Sequence, residues 1–86
     1  MNKEKFQRIE DLVEDRSNLN VQFSVHRLSV NRFSLLCGYD PDMGKLDNNA
    51  EDLFFDLLQE LEYVFELRVE AAGWNDDYSL DAILIG

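Results

Sequence analysis

The 86-residue sequence has a single cysteine and a single histidine, and this shortage restricts its chemistry. With Cys37 alone, the chain cannot form an internal disulfide or a zinc site that needs several thiolates. His26 and Cys37 fall in two runs of alternating apolar and polar residues, and the alternation predicts that they point to opposite faces of a sheet. A nucleophile needs a base within hydrogen-bond reach. We therefore expect His26 to face solvent, Cys37 to lie in the core, and the protein not to be an enzyme.

Glycine and long apolar runs are also scarce. The four glycines are spread along the chain and form no glycine-rich phosphate loop, so we expect no cofactor. No apolar run approaches the ~20 residues of a transmembrane helix. The N-terminal "MNKEKFQRIEDLVED" lacks the apolar segment of a signal peptide. The sequence predicts a single soluble domain, residues 1–86, located in the cytoplasm, or in the host cytoplasm if the protein is phage-encoded.

Basic residues are few and unevenly distributed. The chain has 8 lysines and arginines against 18 acidic residues, a net charge of −10. Residues 1–39 carry a net charge of +1, whereas residues 40–86 hold thirteen acidic and two basic residues, a net charge of −11. Such a field repels nucleic acid and membrane surfaces and attracts basic proteins. We expect no direct binding of nucleic acid or membranes, although acidity also serves solubility alone.

The apolar pattern predicts an α+β fold in the order α-β-β-α-β-β. Stripes at helical spacing predict helices over about residues 3–15 and 50–62. Alternation with period two predicts strands over residues 21–26, 33–39, 65–71 and 78–85. The string "GWNDD" reads as the turn between the last two strands. Two hairpins separated by a helix predict one four-stranded, mainly antiparallel sheet with two helices on one face.

The stretch "GYDPDMGKLDNNAED", residues 38–52, resembles an EF-hand calcium loop in part. Asp40, Asp42 and Glu51 occupy the first, third and twelfth positions, where carboxylates bind Ca²⁺. The sixth position, which requires glycine, is Lys45, and the fifth is Gly44, which has no side-chain oxygen. We therefore expect no metal site. The stretch is interpreted as a turn followed by a helix that is capped by one of three residues, Asp47, Asn48 or Asn49.

The second predicted helix carries a row of acidic residues. Asp52, Asp56 and Glu60 recur at i, i+4 and i+8, and no lysine or arginine lies in residues 46–67 to relieve their repulsion. Successive carboxylates would stand roughly 5–6 Å apart, which is close to the spacing of phosphates along a nucleic-acid strand. The row is a candidate partner-binding surface; the alternative is a solvated helix face.

Trp74 lies in the predicted turn, where an exposed tryptophan is often a contact anchor. With the neighbouring Asp76 and Asp77, it could insert into a pocket of a partner while the carboxylates meet arginines. Alternatively, Trp74 folds back to cap one end of the core. The sequence predicts a partner-binding role for all three residues.

Three functions remain open from these residues. The first is a small acidic protein that binds and inhibits a basic nucleic-acid-processing protein, with nucleic-acid mimicry as the mechanism. Phage-encoded antagonists such as anti-CRISPR proteins and uracil-glycosylase inhibitors share this size and charge, although no motif of theirs is present. The second is an immunity protein for a basic toxin. The third is a homo-oligomeric adaptor domain, a homodimer for example, because Ile83 and Ile85 fall on the face opposite Leu80.

Overall fold

In the part of the chain that the structure describes, two helices and four strands follow one another in the predicted order, and the α+β fold is confirmed. A computed structural model describes residues 2–18, 21–38, 48–76 and 79–86, with Asn48 and Asp76 described by their backbone alone. The elements are α1 (Lys3–Arg16), β1 (Gln22–Arg27), β2 (Arg32–Gly38), α2 (Asn48–Phe65), β3 (Arg68–Asp76) and β4 (Ser79–Ile85). The predicted calcium loop, residues 40–51, lies outside the described residues up to position 47, and its last four residues begin α2. Of the three candidate capping residues, Asn48 and Asn49 lie within α2, and Asp47 lies outside the described residues.

The four strands form one antiparallel sheet in the order β1-β2-β4-β3. The hairpins β1-β2 and β3-β4 are each local in sequence, and they meet where β2 pairs with β4, with Phe33 opposite Leu84 and Cys37 opposite Leu80. The chain therefore consists of two αββ units, α1-β1-β2 and α2-β3-β4. Each unit contributes one central and one edge strand.

One face of the sheet forms the core with both helices. Along β2 and β4 the buried residues alternate with partly exposed ones, which is the period expected when only one face is covered. The largest fully buried side chains come from both helices and both central strands: Ile9, Phe33, Leu35, Phe54, Leu61, Leu80 and Leu84. The phenyl rings of Phe6 on α1 and Phe33 on β2 form a T-shaped contact, with centroids 6.0 Å apart. The predicted placement of both helices on one face agrees with this burial.

Local backbone contacts define the start of α1 and the end of α2. At the start of α1, the Asn2 side chain accepts a hydrogen bond of 2.8 Å from the backbone N–H of Lys5. Helix α2 continues to Phe65, and Glu66 then takes a left-handed conformation with φ 55°. The N–H of Leu67 reaches back to the carbonyl oxygen of Glu62 at 3.2 Å, which closes the helix.

The prediction that a strand begins at Phe65 is therefore wrong. Phe65 is the last residue of α2, and β3 begins at Arg68. Phe65 continues the helical stripe of Leu58 and Leu61, so its apolar character belongs to the helix. Its spacing of two from Leu67, which is also buried, imitates strand alternation.

The prediction that "GWNDD" is a turn is also wrong for Gly73 to Asp76, which belong to β3. The pairing with β4 shifts register twice, between Val69 and Ala71 and between Trp74 and Asp76. Each shift adds a residue to β3, which interrupts the alternation. For this reason the alternation of apolar and polar residues does not indicate the second half of β3.

Candidate protein-binding surface

The acidic row of α2 lies along the side of the helix that faces away from the core. Asp52 and Asp56 are exposed, whereas the intervening Phe54 and the following Leu57 are buried. Neither aspartate forms an ion pair with any residue that the structure describes. The two carboxylates are one helical turn apart on one flank of the helix, so both are available to a partner.

Glu60, the third member of the row, is neutralised from within the chain. The Arg16 guanidinium at the end of α1 donates from Nε to Oε2 of Glu60 at 3.0 Å and from Nη2 to Oε1 at 2.5 Å. These hydrogen bonds to Glu60, with the charge of the carboxylate, raise the pKa of Arg16. The predicted row of unrelieved charges is therefore corrected: Arg16, 44 residues away, compensates Glu60. Nothing in the spacing of α2 could have indicated this pairing.

A surface pocket of about 240 Å³ lies beside the acidic row, where α1, β1 and α2 meet. Its lining combines three apolar side chains with the ion pair and one aspartate: Phe23, Leu53, Leu57, Arg16, Glu60 and Asp56. Phe23 and Leu57 also belong to the core, which holds the pocket walls in place. The pocket thus combines apolar side chains and the Asp56 carboxylate in its lining.

Trp74 lies on β3 opposite Leu80, which places it on the helix-covered side of the sheet. Its indole N–H donates to Oε2 of Glu51 in the first turn of α2 at 3.2 Å, and the residue remains 43% exposed. Trp74 therefore folds against the end of α2 and still offers part of its ring to solvent. Asp76 pairs with Ser79 in the backbone register, and Asp77 lies outside the described residues.

The predicted site residues are not brought together into one surface. Glu60 faces α1 through Arg16, whereas Glu51 faces β3 through Trp74. Helix α2 stands between these two contacts. The structure separates an acidic patch, formed by Asp52, Asp56 and the adjoining pocket, from the Trp74 corner.

Most arginines of the chain are engaged with other parts of the protein. Arg8 lies over the ring of Phe65 at 5.8 Å and Arg27 over that of Phe6 at 5.5 Å. Arg32 donates to Glu70 at 3.1 Å, as Arg16 does to Glu60. These contacts hold the four guanidinium groups against aromatic rings or carboxylates of the same chain, and Arg16 pairs with Asp15 as well, at 2.6 Å. Asp52 and Asp56 therefore keep their negative charge toward solvent.

The only cysteine and the only histidine are far from forming a reactive pair. Cys37 is fully buried on the helix-covered face, and this burial raises the pKa of its thiol to about 11. His26 is exposed and lies on the other face of the sheet, together with Ser34, with which it pairs. The predicted positions of both residues are confirmed.

Two further findings concern the described part of the chain. Within it, no group of three or more His, Cys, Asp or Glu side chains is placed to hold a metal ion. Of the two helices described, neither has the length and apolar composition needed to cross a membrane.

Similarity to known proteins gives no independent indication of function. Comparison of the chain with protein-family models, with curated proteins and with solved structures finds no match. The acidic patch is consequently interpreted from the charge, exposure and contacts of its own residues.

Proposed function

We propose that this protein binds a basic nucleic-acid-processing protein and inhibits it by occupying the groove that receives nucleic acid. The observation that carries the proposal is the acidic patch: Asp52 and Asp56 are exposed, without an ion pair among the described residues, in a chain of net charge −10. A helix holds its carboxylates at fixed spacing, so a partner with a row of lysines or arginines would meet preorganised charges. A protein that acts in this way would be a phage-type anti-defence inhibitor, for example an anti-CRISPR protein.

The pocket beside the patch adds a contact that charge alone does not provide. An arginine or lysine of the partner has an apolar stem and a cationic head. Phe23, Leu53 and Leu57 line the pocket for the stem, and the Asp56 carboxylate is there for the head. Because Arg16 already occupies Glu60, Asp56 is the carboxylate in this pocket that remains for a partner.

The Trp74 corner would contribute a second, separate contact. The exposed part of its ring can enter an apolar depression of the partner. The hydrogen bond to Glu51 already restricts the side chain, so that less conformational entropy is lost on binding. Binding that spans α2 would therefore engage the acidic patch on one side and Trp74 on the other. Such a footprint would exclude nucleic acid from the groove sterically and by charge.

The test uses the tagged protein to capture partners from a lysate, followed by elution with DNA or RNA. The variant Asp52→Asn/Asp56→Asn removes the two free charges. The matched control Glu14→Gln/Glu62→Gln removes two exposed charges elsewhere and changes the net charge equally. We expect the first variant to lose the captured protein mainly through slower association, because complementary charge steers encounter, and the control to retain it.

Salt and Glu60 provide further controls. Affinity of the unmodified chain should fall steeply as salt rises, and the variant Asp52→Asn/Asp56→Asn should flatten this dependence. Glu60→Gln should weaken capture less than Asp56→Asn does, because Glu60 is already paired with Arg16. Equal capture by the two double variants, or a complex indifferent to salt and to added nucleic acid, contradicts the proposal. A captured toxin would instead identify an immunity protein with the same electrostatics.

A further inference from the structure

The face of the sheet opposite the helices is apolar at its centre. On the central strands, Leu36, Ile83 and Ile85 point to this face and each keeps part of its side chain exposed. Ile83 lies between Ser34 on β2 and Ala71 on β3, and Ile85 lies between Arg32 and Arg68. A sheet face in contact with water alone normally carries polar residues at such central positions. This placement agrees with the alternation of β4, which predicts that Ile83 and Ile85 lie on the face opposite Leu80.

The charges on this face are arranged in a polarised way. Arg32 and Arg68 flank Ile85 at one end of β4, and Glu70 reaches this end through its ion pair with Arg32 at 3.1 Å. At the other end, Asp81 lies between Leu36 and Gly73, with no ion pair among the described residues. His26 stands on the edge strand β1, opposite Ser34. Positive charge at the Ile85 end and negative charge at Asp81 are thus separated by the row that contains Ile83.

We propose that this sheet face binds a second copy of the chain and forms a symmetric dimer. Two sheets packed face to face bury the side chains of their inner faces between them. A twofold axis that crosses β4 at Ile83 would place Ile83 against its own copy and turn the Ile85 end of one sheet over the Asp81 end of the other. Arg68 of each copy then lies next to Asp81 of the other, so the face is complementary to itself in charge as well as in apolar character.

The distribution of charge in the rest of the chain permits this association in spite of a net charge of −10. Helix α2, with Asp52 and Asp56, covers the opposite side of the sheet. A dimer joined through the sheet face opposite the helices would therefore carry its two acidic helices on its outside, far from each other. The two acidic patches would stay available, and the dimer does not depend on the function proposed for them.

The test is the mass of the purified chain in solution by sedimentation velocity, from micromolar to near-millimolar concentration at physiological salt. We expect a concentration-dependent species of twice the 10.1 kDa chain mass. Ile83→Thr keeps a β-branched residue but removes apolar contact twice in a symmetric interface, and should raise the dissociation constant about tenfold or more. The control Val30→Thr alters a 69% exposed residue in the β1-β2 turn and should leave the constant unchanged.

Charge exchange provides a second readout that does not depend on the stability of the Ile83 variant. Asp81→Arg and Arg68→Asp should each weaken the dimer, because each places like charges together across the interface. The combined variant Asp81→Arg/Arg68→Asp should restore it, which a purely structural role of these residues would not produce. A chain that is monomeric at every concentration overturns the proposal. A dimer that neither Ile83→Thr nor the single exchanges weaken overturns it as well.

Discussion

Cys37 gives a sensitive measure of whether the core opens. The side chain is 0% exposed, and burial raises the pKa of its thiol to about 11 from its ordinary value of 9.0. At pH 8 the reactive thiolate would be about one molecule in a thousand in the folded chain, against about one in ten in the unfolded chain. Reaction of the folded state is therefore suppressed by chemistry in addition to steric exclusion.

Labelling should consequently proceed through unfolding. If the free energy of unfolding is about 5 kcal/mol, at the low end for a small domain, roughly one molecule in 5,000 is open at any time. We expect Cys37 to react with a thiol reagent at least about a thousandfold more slowly than in urea-unfolded chain. The control Cys37→Ala/Val30→Cys moves the thiol to a 69% exposed position in the β1-β2 turn and should react at nearly the unfolded rate. A native Cys37 that reacts within tenfold of that control refutes the burial argument.

The same pKa shift gives a pH dependence. A thiol whose pKa is higher in the folded chain favours folding while it is protonated, and this contribution is lost as pH rises from 9 through 11. The free energy of unfolding should fall by about 2–3 kcal/mol over this range from this group. Urea denaturation of the unmodified protein and of Cys37→Ala at pH 8 and pH 11 isolates the contribution of the thiol. All other titrating groups are present in both proteins, so their effects cancel in the comparison. An equal fall in the two proteins would contradict the stated cause.

Two other predictions concern Trp74 and the 38–52 stretch. Trp74→Ala should lower the affinity for a captured partner by about 1 kcal/mol or more. It should change the stability of the fold little, because Trp74 lies on an edge strand and is 43% exposed. A large loss of stability in urea with unchanged capture would assign Trp74 to the core. Calorimetry should show no Ca²⁺ binding tighter than millimolar, because Lys45 and Gly44 replace required features of the loop; a micromolar site that Glu51→Gln abolishes would contradict this reading.

The parts of the fold that follow from local periodicity were predictable from the sequence. The helical stripe containing Ile9 and Val13 and the alternation through Phe33, Leu35 and Cys37 each indicate their element, because one face is buried throughout. The alternation fails in β3, where two extra residues shift the pattern. It also misplaces Phe65, whose apolar side chain fits either period. In both cases the structure is set by contacts with other elements and not by the local pattern.

The candidate surface was predictable only in part. The exposure of Asp52 and Asp56 follows from their spacing between apolar residues of α2. The neutralisation of Glu60 does not, because Arg16 reaches it only after α1 and α2 pack together. Likewise, the contact of Trp74 with Glu51 required the position of β3 at the edge of the sheet. Contacts between elements distant in sequence leave no local pattern.

The division into two αββ units has a consequence for how the chain can be cut. Each unit holds a helix and a hairpin, and the two are joined in the sheet only by the pairing of β2 with β4. A chain divided between β2 and α2 would yield two fragments, each with one unfinished edge and half of a core. Because residues 1–39 carry a net charge of +1 and residues 40–86 one of −11, the fragments also attract each other. We expect them to reassociate on mixing, with recovery of the circular dichroism of the intact chain, so that the protein can serve as a pair of complementing fragments.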